Sequence, residues 1–237
     1  MSPGADRGLL PMTTFVLIPG AGGRAAFWRL LADELERRGH TAVAVDLPAG
    51  DDTAGLERYA DTVVDAIGDR SPVVLVAQSM GGLTAPLVCE RVPVRLLVML
   101  NAMVPSPGET GGEWWTVTGQ GPAQAAYLAS LGLPADPDEE TTYLHDVPLE
   151  ARVLDEAFAQ SGRPFEEPWP LDQWPDVPTR VLAGRDDRLF PLEFQRTVAA
   201  ERLGLDVDEI AGGHLAALSR PVELADRLEE YLHSSPH

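Results

Sequence analysis

Short apolar runs alternate along the chain with longer stretches in which apolar residues recur every three or four positions. Thr14-Phe15-Val16-Leu17-Ile18 predicts a buried strand. Phe27, Trp28, Leu30, Leu31 and Leu35 predict a helix over about 25–38, ended by Gly39. A strand follows at 41–46, and Leu56, Tyr59, Ala60, Val63, Val64 and Ile67 mark one face of an amphipathic helix. Strand 73–77 leads into a helix over about 80–92, where Pro86 removes a hydrogen bond and is expected to kink it. Residues 95–101 form another apolar strand.

This rhythm stops near Met103. Residues 104–175 are rich in proline, glycine and tryptophan, with helical pieces only at Pro122–Leu131 and Leu149–Gln160. Alternation then resumes with strand 179–183, helix 192–203, strand 205–210 and helix 222–232. Strands and helices in alternation predict an α/β fold, a mainly parallel sheet flanked by helices with right-handed crossovers. Residues 1–103 and 176–237 are therefore the expected core. The segment 104–175 is the expected insertion, a helical cap at the carboxyl end of the sheet, where open α/β sheets bind ligands.

Composition narrows the chemistry. With 237 residues the chain is long enough for one large domain without staples, and its one cysteine, Cys89, has no internal disulfide partner. The net charge of −19, from 37 acidic and 18 basic residues, repels nucleic acid and anionic lipid. Every basic residue is arginine; the absence of lysine excludes a Schiff-base lysine, a pyridoxal-phosphate lysine and a P-loop lysine. No apolar run approaches the ~18 residues of a membrane span. Met1 to Met12 carries Asp6 and Arg7 and no apolar core, so a cytoplasmic location is expected rather than secretion.

The chemistry concentrates at Val73-Val74-Leu75-Val76-Ala77-Gln78-Ser79-Met80-Gly81-Gly82. An apolar strand that ends in a serine between small residues, with a helix after it, puts a hydroxyl at the apex of a sharp turn. Ser79 is the candidate nucleophile, and the Met80 N–H at the helix start is a candidate oxyanion donor. A serine nucleophile needs a base held by an acid. His214, in Ala211-Gly212-Gly213-His214-Leu215 after a strand, is the candidate base. His40 reads as structural, and His233 and His237 sit in a tail that does not suit a metal. Asp187 is the favoured acid, three residues beyond Gly184 at the end of strand 179–183, with Asp186 as its competitor. The loop Gly20-Ala21-Gly22-Gly23 lacks a dinucleotide or P-loop pattern, and its Ala21 N–H is the second oxyanion candidate.

With these residues in place, the chain resembles the α/β-hydrolase superfamily, and within it the methylesterase and hydroxynitrile-lyase branch. The resemblance rests on Pro19-Gly20-Ala21 followed by Trp28, on Gly39-His40-Thr41-Ala42-Val43-Ala44-Val45-Asp46-Leu47, and on Leu100-Asn101-Ala102-Met103-Val104-Pro105. It continues through Asp187–Arg196 and His214–Pro221. The order Ser79, Asp187, His214 is that fold's order. The resemblance implies hydrolysis of a carboxylic ester, a small apolar or aryl ester or a lactone, through an acyl-enzyme and without a cofactor. Pro19, Ala77 and Gln78 depart from the family's histidine, glycine and histidine. Lyase members carry a threonine at the position of Gly20 and a lysine at that of Leu215, which favours the esterase side. A lyase or epimerase using the same triad, or a ligand-binding protein that lost catalysis, are the alternatives.

Gly20 and Gln78 adjoin the site and are expected at the substrate. In the cap, Trp114, Trp115, Tyr127, Tyr143, Phe158 and Phe165 either wall an apolar pocket or pack the cap on itself. His145, beside Asp146, either touches substrate or stabilises the cap. The expected partner is a small-molecule ester, with neither nucleic acid nor membrane, and no residue pattern sets an oligomeric state.

Overall fold

Among the described residues, six strands all run in the same direction, so the segments leaving their carboxyl ends gather at one edge. The computed structural model describes residues 12–152 and 159–234. Within them, β1 (Thr14–Ile18), β2 (Thr41–Ala44), β3 (Val73–Ser79), β4 (Val94–Ala102), β5 (Thr179–Gly184) and β6 (Val207–Ile210) form one parallel sheet in the order β2-β1-β3-β4-β5-β6. The register aligns Ile18 with Ala77, Leu100 with Leu182 and Gly184 with Ile210. The segments after β1, β3, β4, β5 and β6 therefore leave the sheet along one edge. These segments begin at Pro19, Met80, Met103, Arg185 and Ala211.

Side chains alternate across each strand, and both faces are covered. Val16, Ile18, Leu75, Ala77, Leu97 and Met99 pack on one face against α2 (Leu56–Ile67), α3 (Gly81–Cys89) and α7 (Leu192–Leu203). Phe15, Leu17, Val74, Val76, Val98 and Leu100 pack on the other against α1 (Arg29–Arg37) and α9 (Pro221–Ser234). Helix α1 is preceded by a 3₁₀ turn at Ala25–Trp28, and a short helix α8 (Ala216–Ser219) precedes α9. Helix α3 continues through Pro86 to Cys89.

Between β4 and β5 the chain forms α4 (Gly111–Val117), α5 (Gln120–Ser130), a π-helical turn at Glu140–Leu144, a 3₁₀ turn at Leu149–Ala151 and α6 (Arg163–Glu166). Helix α4 has no counterpart in the sequence expectations; it starts at a capping box in which Thr110 and Glu113 satisfy each other's backbone N–H groups. Of the helix expected over Leu149–Gln160, Leu149–Ala151 form a 3₁₀ turn, Arg152, Ala159 and Gln160 are not helical, and residues 153–158 lie outside the described residues. Phe158, the segment before Met12 and His237 lie outside the described residues. The insertion is tied to the core by Trp169 Nε1–H donating to the Leu83 carbonyl (3.1 Å) and by a two-point pair between Glu109 and Arg202.

Candidate active site

Ser79 closes β3 with φ of +53°, in the left-handed region that non-glycine residues seldom occupy. The ladder with β4 slips one residue between Gln78 and Ser79, so Ser79 pairs with Ala102. The turn is held by close backbone packing: a Cβ on Gly82 would stand 2.0 Å from the Met103 carbonyl oxygen. A serine kept in such a conformation by its surroundings is a common signature of a functional turn.

His214 and Asp187 come together as the second feature. His214 Nδ1 lies 2.8 Å from Asp187 Oδ2, and Asp187 is wholly buried. The other carboxylate oxygen, Oδ1, accepts the N–H groups of Leu189 (2.8 Å) and Phe190 (3.0 Å). With Nδ1 engaged, Nε2 is the imidazole nitrogen left for the cavity. The ring is clamped edge-on by Phe190 (5.3 Å between centroids) and Tyr143 (5.7 Å). Asp186 is exposed and turns instead to the backbone of Gly212, so Asp187 is the carboxylate that meets the imidazole.

Ser79 and His214 line one cavity of about 330 Å³. Ala21, Gly22, Phe27, Met80 and Met103 contribute from the core, and Trp115, Tyr143, Leu144, Gln160 and Phe165 from the insertion. Leu189 and Leu215 add apolar surface, and Glu139 adds a carboxylate. Ala21 and Met80 both face this space, and among the described residues neither N–H has an acceptor. Their neighbour differs: the Gly22 N–H donates to Gln160 Oε1 at 3.0 Å. Among the described residues no group of three or more His, Cys, Asp or Glu is placed to hold a metal ion.

Several expected pocket residues stand elsewhere. Trp114 is not in the cavity wall; it is buried against Phe190 and Phe194, with Nε1–H donating to the Val104 carbonyl at 3.0 Å. Adjacent residues on a helix point about 100° apart, so Trp115 faces the cavity while Trp114 faces the core. Tyr127 is also outside the lining, whereas Tyr143 and Phe165 are in it. Gly20 lies behind Ser79, where an added Cβ would come within 2.7 Å of the serine Cβ, and does not line the cavity. His145 is likewise absent from the wall. Its ring packs on Gly213, and burial pushes its pKa down. Gln78 lines the cavity and also donates to the His214 carbonyl at 3.3 Å.

Asn101 and Gln160 carry contacts that the sequence reading did not assign. Asn101 is wholly buried with φ of +45° and donates to the carbonyls of Gly213 and His214, both at 3.1 Å. The sequence signal for it is its place near the end of β4, within the phrase Leu100–Pro105; Gln160 has none, because its side-chain partners Gly22 and Tyr59 are far along the chain.

A model of the alpha/beta hydrolase family matches residues 15–227. Methylesterase 7 of Arabidopsis thaliana is 33% identical over 251 residues, covering 91% of this chain and 95% of that protein. Probable esterase PIR7A of Oryza sativa subsp. indica is 28% identical over 253 residues, covering 90% and 94%. Among solved structures, a pyrethroid hydrolase from Sphingobium faniae matches with a TM-score of 0.72 at 22% identity, covering 94% of this chain and 98% of its own. Family match, sheet order and the segments leaving the strand ends agree: the chain belongs to the alpha/beta hydrolase family, in its methylesterase-like branch.

Proposed function

We propose that the protein hydrolyses a carboxylic ester through an acyl-enzyme on Ser79, its substrate an uncharged, small apolar or aryl ester or a lactone. One observation carries the reading: a buried imidazole–carboxylate pair at 2.8 Å shares its cavity with a serine at positive φ.

In this mechanism the Ser79 oxygen bonds to the ester carbonyl carbon while His214 Nε2 takes the hydroxyl proton. The negative charge moves to the carbonyl oxygen, where the N–H groups of Ala21 and Met80 hold it. When the carbonyl re-forms, the bond to the alcohol oxygen breaks and His214 returns the proton to it. Water then repeats the sequence on the acyl-serine, releasing the acid and regenerating the hydroxyl. Asp187 fixes the imidazole and balances its transient charge. The insertion serves as the cap, closing an apolar chamber over the reacting carbon. Leu215 lines that chamber where lyase members of the branch carry a lysine, which supports hydrolysis rather than cyanide release.

The test is p-nitrophenyl acetate turnover with fluorophosphonate labelling. The parent protein is expected to give a burst and a single adduct at Ser79, and Ser79→Ala to lose both. A burst of parent size in the variant overturns the assignment.

A further inference from the structure

Three backbone segments must sit correctly around Ser79 in this scheme: those bearing Ala21, Asp187 and His214. In each, the residue beside the functional one is held from the cap. Gly22 N–H donates to Gln160 Oε1 at 3.0 Å. Gly213 N–H donates to Asp146 Oδ2 at 2.8 Å. Beyond the acid, the carbonyls of Arg188 and Leu189 accept from Gln124 and Gln120 of α5, at 2.9 and 2.7 Å.

Two of these segments have little stiffness of their own. Gly22 and Gly212 sit at φ of +84° and +103°, conformations that glycine adopts and leaves at small cost. The core ties these turns at other points, through Gly23 and through Asn101, but the amides of Gly22 and Gly213 themselves find their acceptors in the cap. Asp146 supplies a carboxylate, the stronger kind of acceptor. Gln160 is itself braced, its Nε2 donating to Tyr59 Oη (3.2 Å) and to the Ser161 carbonyl (2.9 Å). Ser79 is placed differently: the sheet and the packing of Gly82 on Met103 fix it within the core.

We infer that Asp146 and Gln160 are positioning residues, through which docking of the cap aligns the base and the oxyanion loop around a serine that the core alone has set. The inference rests on the catalytic roles proposed above for Ala21, Asp187 and His214. Cap and core then form one catalytic unit: a molecule with the cap displaced keeps its serine turn but not the geometry of the groups that activate it.

Five variants and three readouts test this. Asp146→Ala and Gln160→Ala are each expected to lower kcat on p-nitrophenyl acetate about 10- to 100-fold with a smaller change in KM, as expected when reacting groups are misplaced. Asp146→Asn and Gln160→Glu keep an acceptor oxygen and are expected to recover most of kcat. Asp146→Ala is also expected to shift the pH profile of acylation, which reads the base. The double alanine variant is expected to lose less than the product of the single losses, because either one loosens the same contact. Hydrogen exchange, which needs no substrate, is expected to accelerate at amides 22 and 213 in the corresponding alanine variants. Protection unchanged in both variants overturns the inference whatever the protein does to esters, as does faster exchange with kcat within twofold of the parent. A parent protein that neither turns over esters nor labels at Ser79 defeats the proposed function instead, leaving the exchange result to decide whether the cap holds these loops.

Discussion

Asn101 spends its entire hydrogen-bonding capacity on the backbone and side chains that surround the site. Its amide group donates to the Gly213 and His214 carbonyls, and its oxygen accepts from the Gly184 N–H (2.6 Å) and Gln195 Nε2 (3.2 Å). An amide side chain has two donors and two lone pairs, so nothing is left over. One residue thus joins the end of β4 to the segments bearing the acid and the base. Asn101→Asp nearly preserves the shape but turns an acceptor toward two carbonyl oxygens. We expect it to lower kcat about 10- to 100-fold, measured with p-nitrophenyl acetate. Asn101→Ala strands several buried groups and is expected to destabilise the fold by about 3 kcal/mol or more, read from urea unfolding.

At the scale of elements, α1 is bolted to α9 by charge. Arg38, just past the end of α1, donates to Glu34 and to Asp226 and Glu229 of α9, each at 2.7 Å. Hydrogen bonds from Arg37 and Arg38 hold the Glu34 carboxyl down at about 2, against an ordinary value of 4.5. A carboxyl depressed in the folded state favours folding above its unfolded value and loses that advantage as pH falls through the folded one. The stability gap between the parent and Glu34→Gln is therefore expected to be full at pH 6 and to shrink progressively below about 4.5, as urea unfolding at a series of pH values would show. Elements with a clear period were legible in the sequence: the strand ending at Ile18 falls where patterning put it, as does the His214 loop after β6, while β3 and β5 run past their expected ends at 77 and 183 to Ser79 and Gly184. Helix α4 was not, because a seven-residue segment between loops has too few turns to display a period. Without its phase, Trp114 and Trp115 were indistinguishable, although one belongs to the core and the other to the cavity. Asn101 and Gln160 were illegible for another reason: the partners that give them a role lie 83 to 138 positions away, and polar residues carry no periodic mark.

Across the whole molecule, a charge of −19 surrounds a cavity whose lining, among the described residues, contains one carboxylate, Glu139, and no arginine. That field disfavours anionic substrates at the mouth and is screened by salt. Glu139→Gln is expected to raise kcat/KM for a carboxylate-bearing ester a few-fold at low ionic strength, more than for its neutral analogue. The difference is expected to fade toward 1 M salt, where the screening length is about 3 Å. The order of parts along the polypeptide has a temporal consequence as well. The serine turn and both proposed oxyanion amides are encoded by Met80, whereas the carboxylate and imidazole arrive only at Asp187 and His214, after the cap. Under the proposed mechanism, a ribosome that has released the first half of this protein has therefore released the nucleophile without its base. On that mechanism the nascent chain is expected to stay inert toward esters until β5 and β6 have joined the sheet's edge, so that reactivity belongs to the finished product alone.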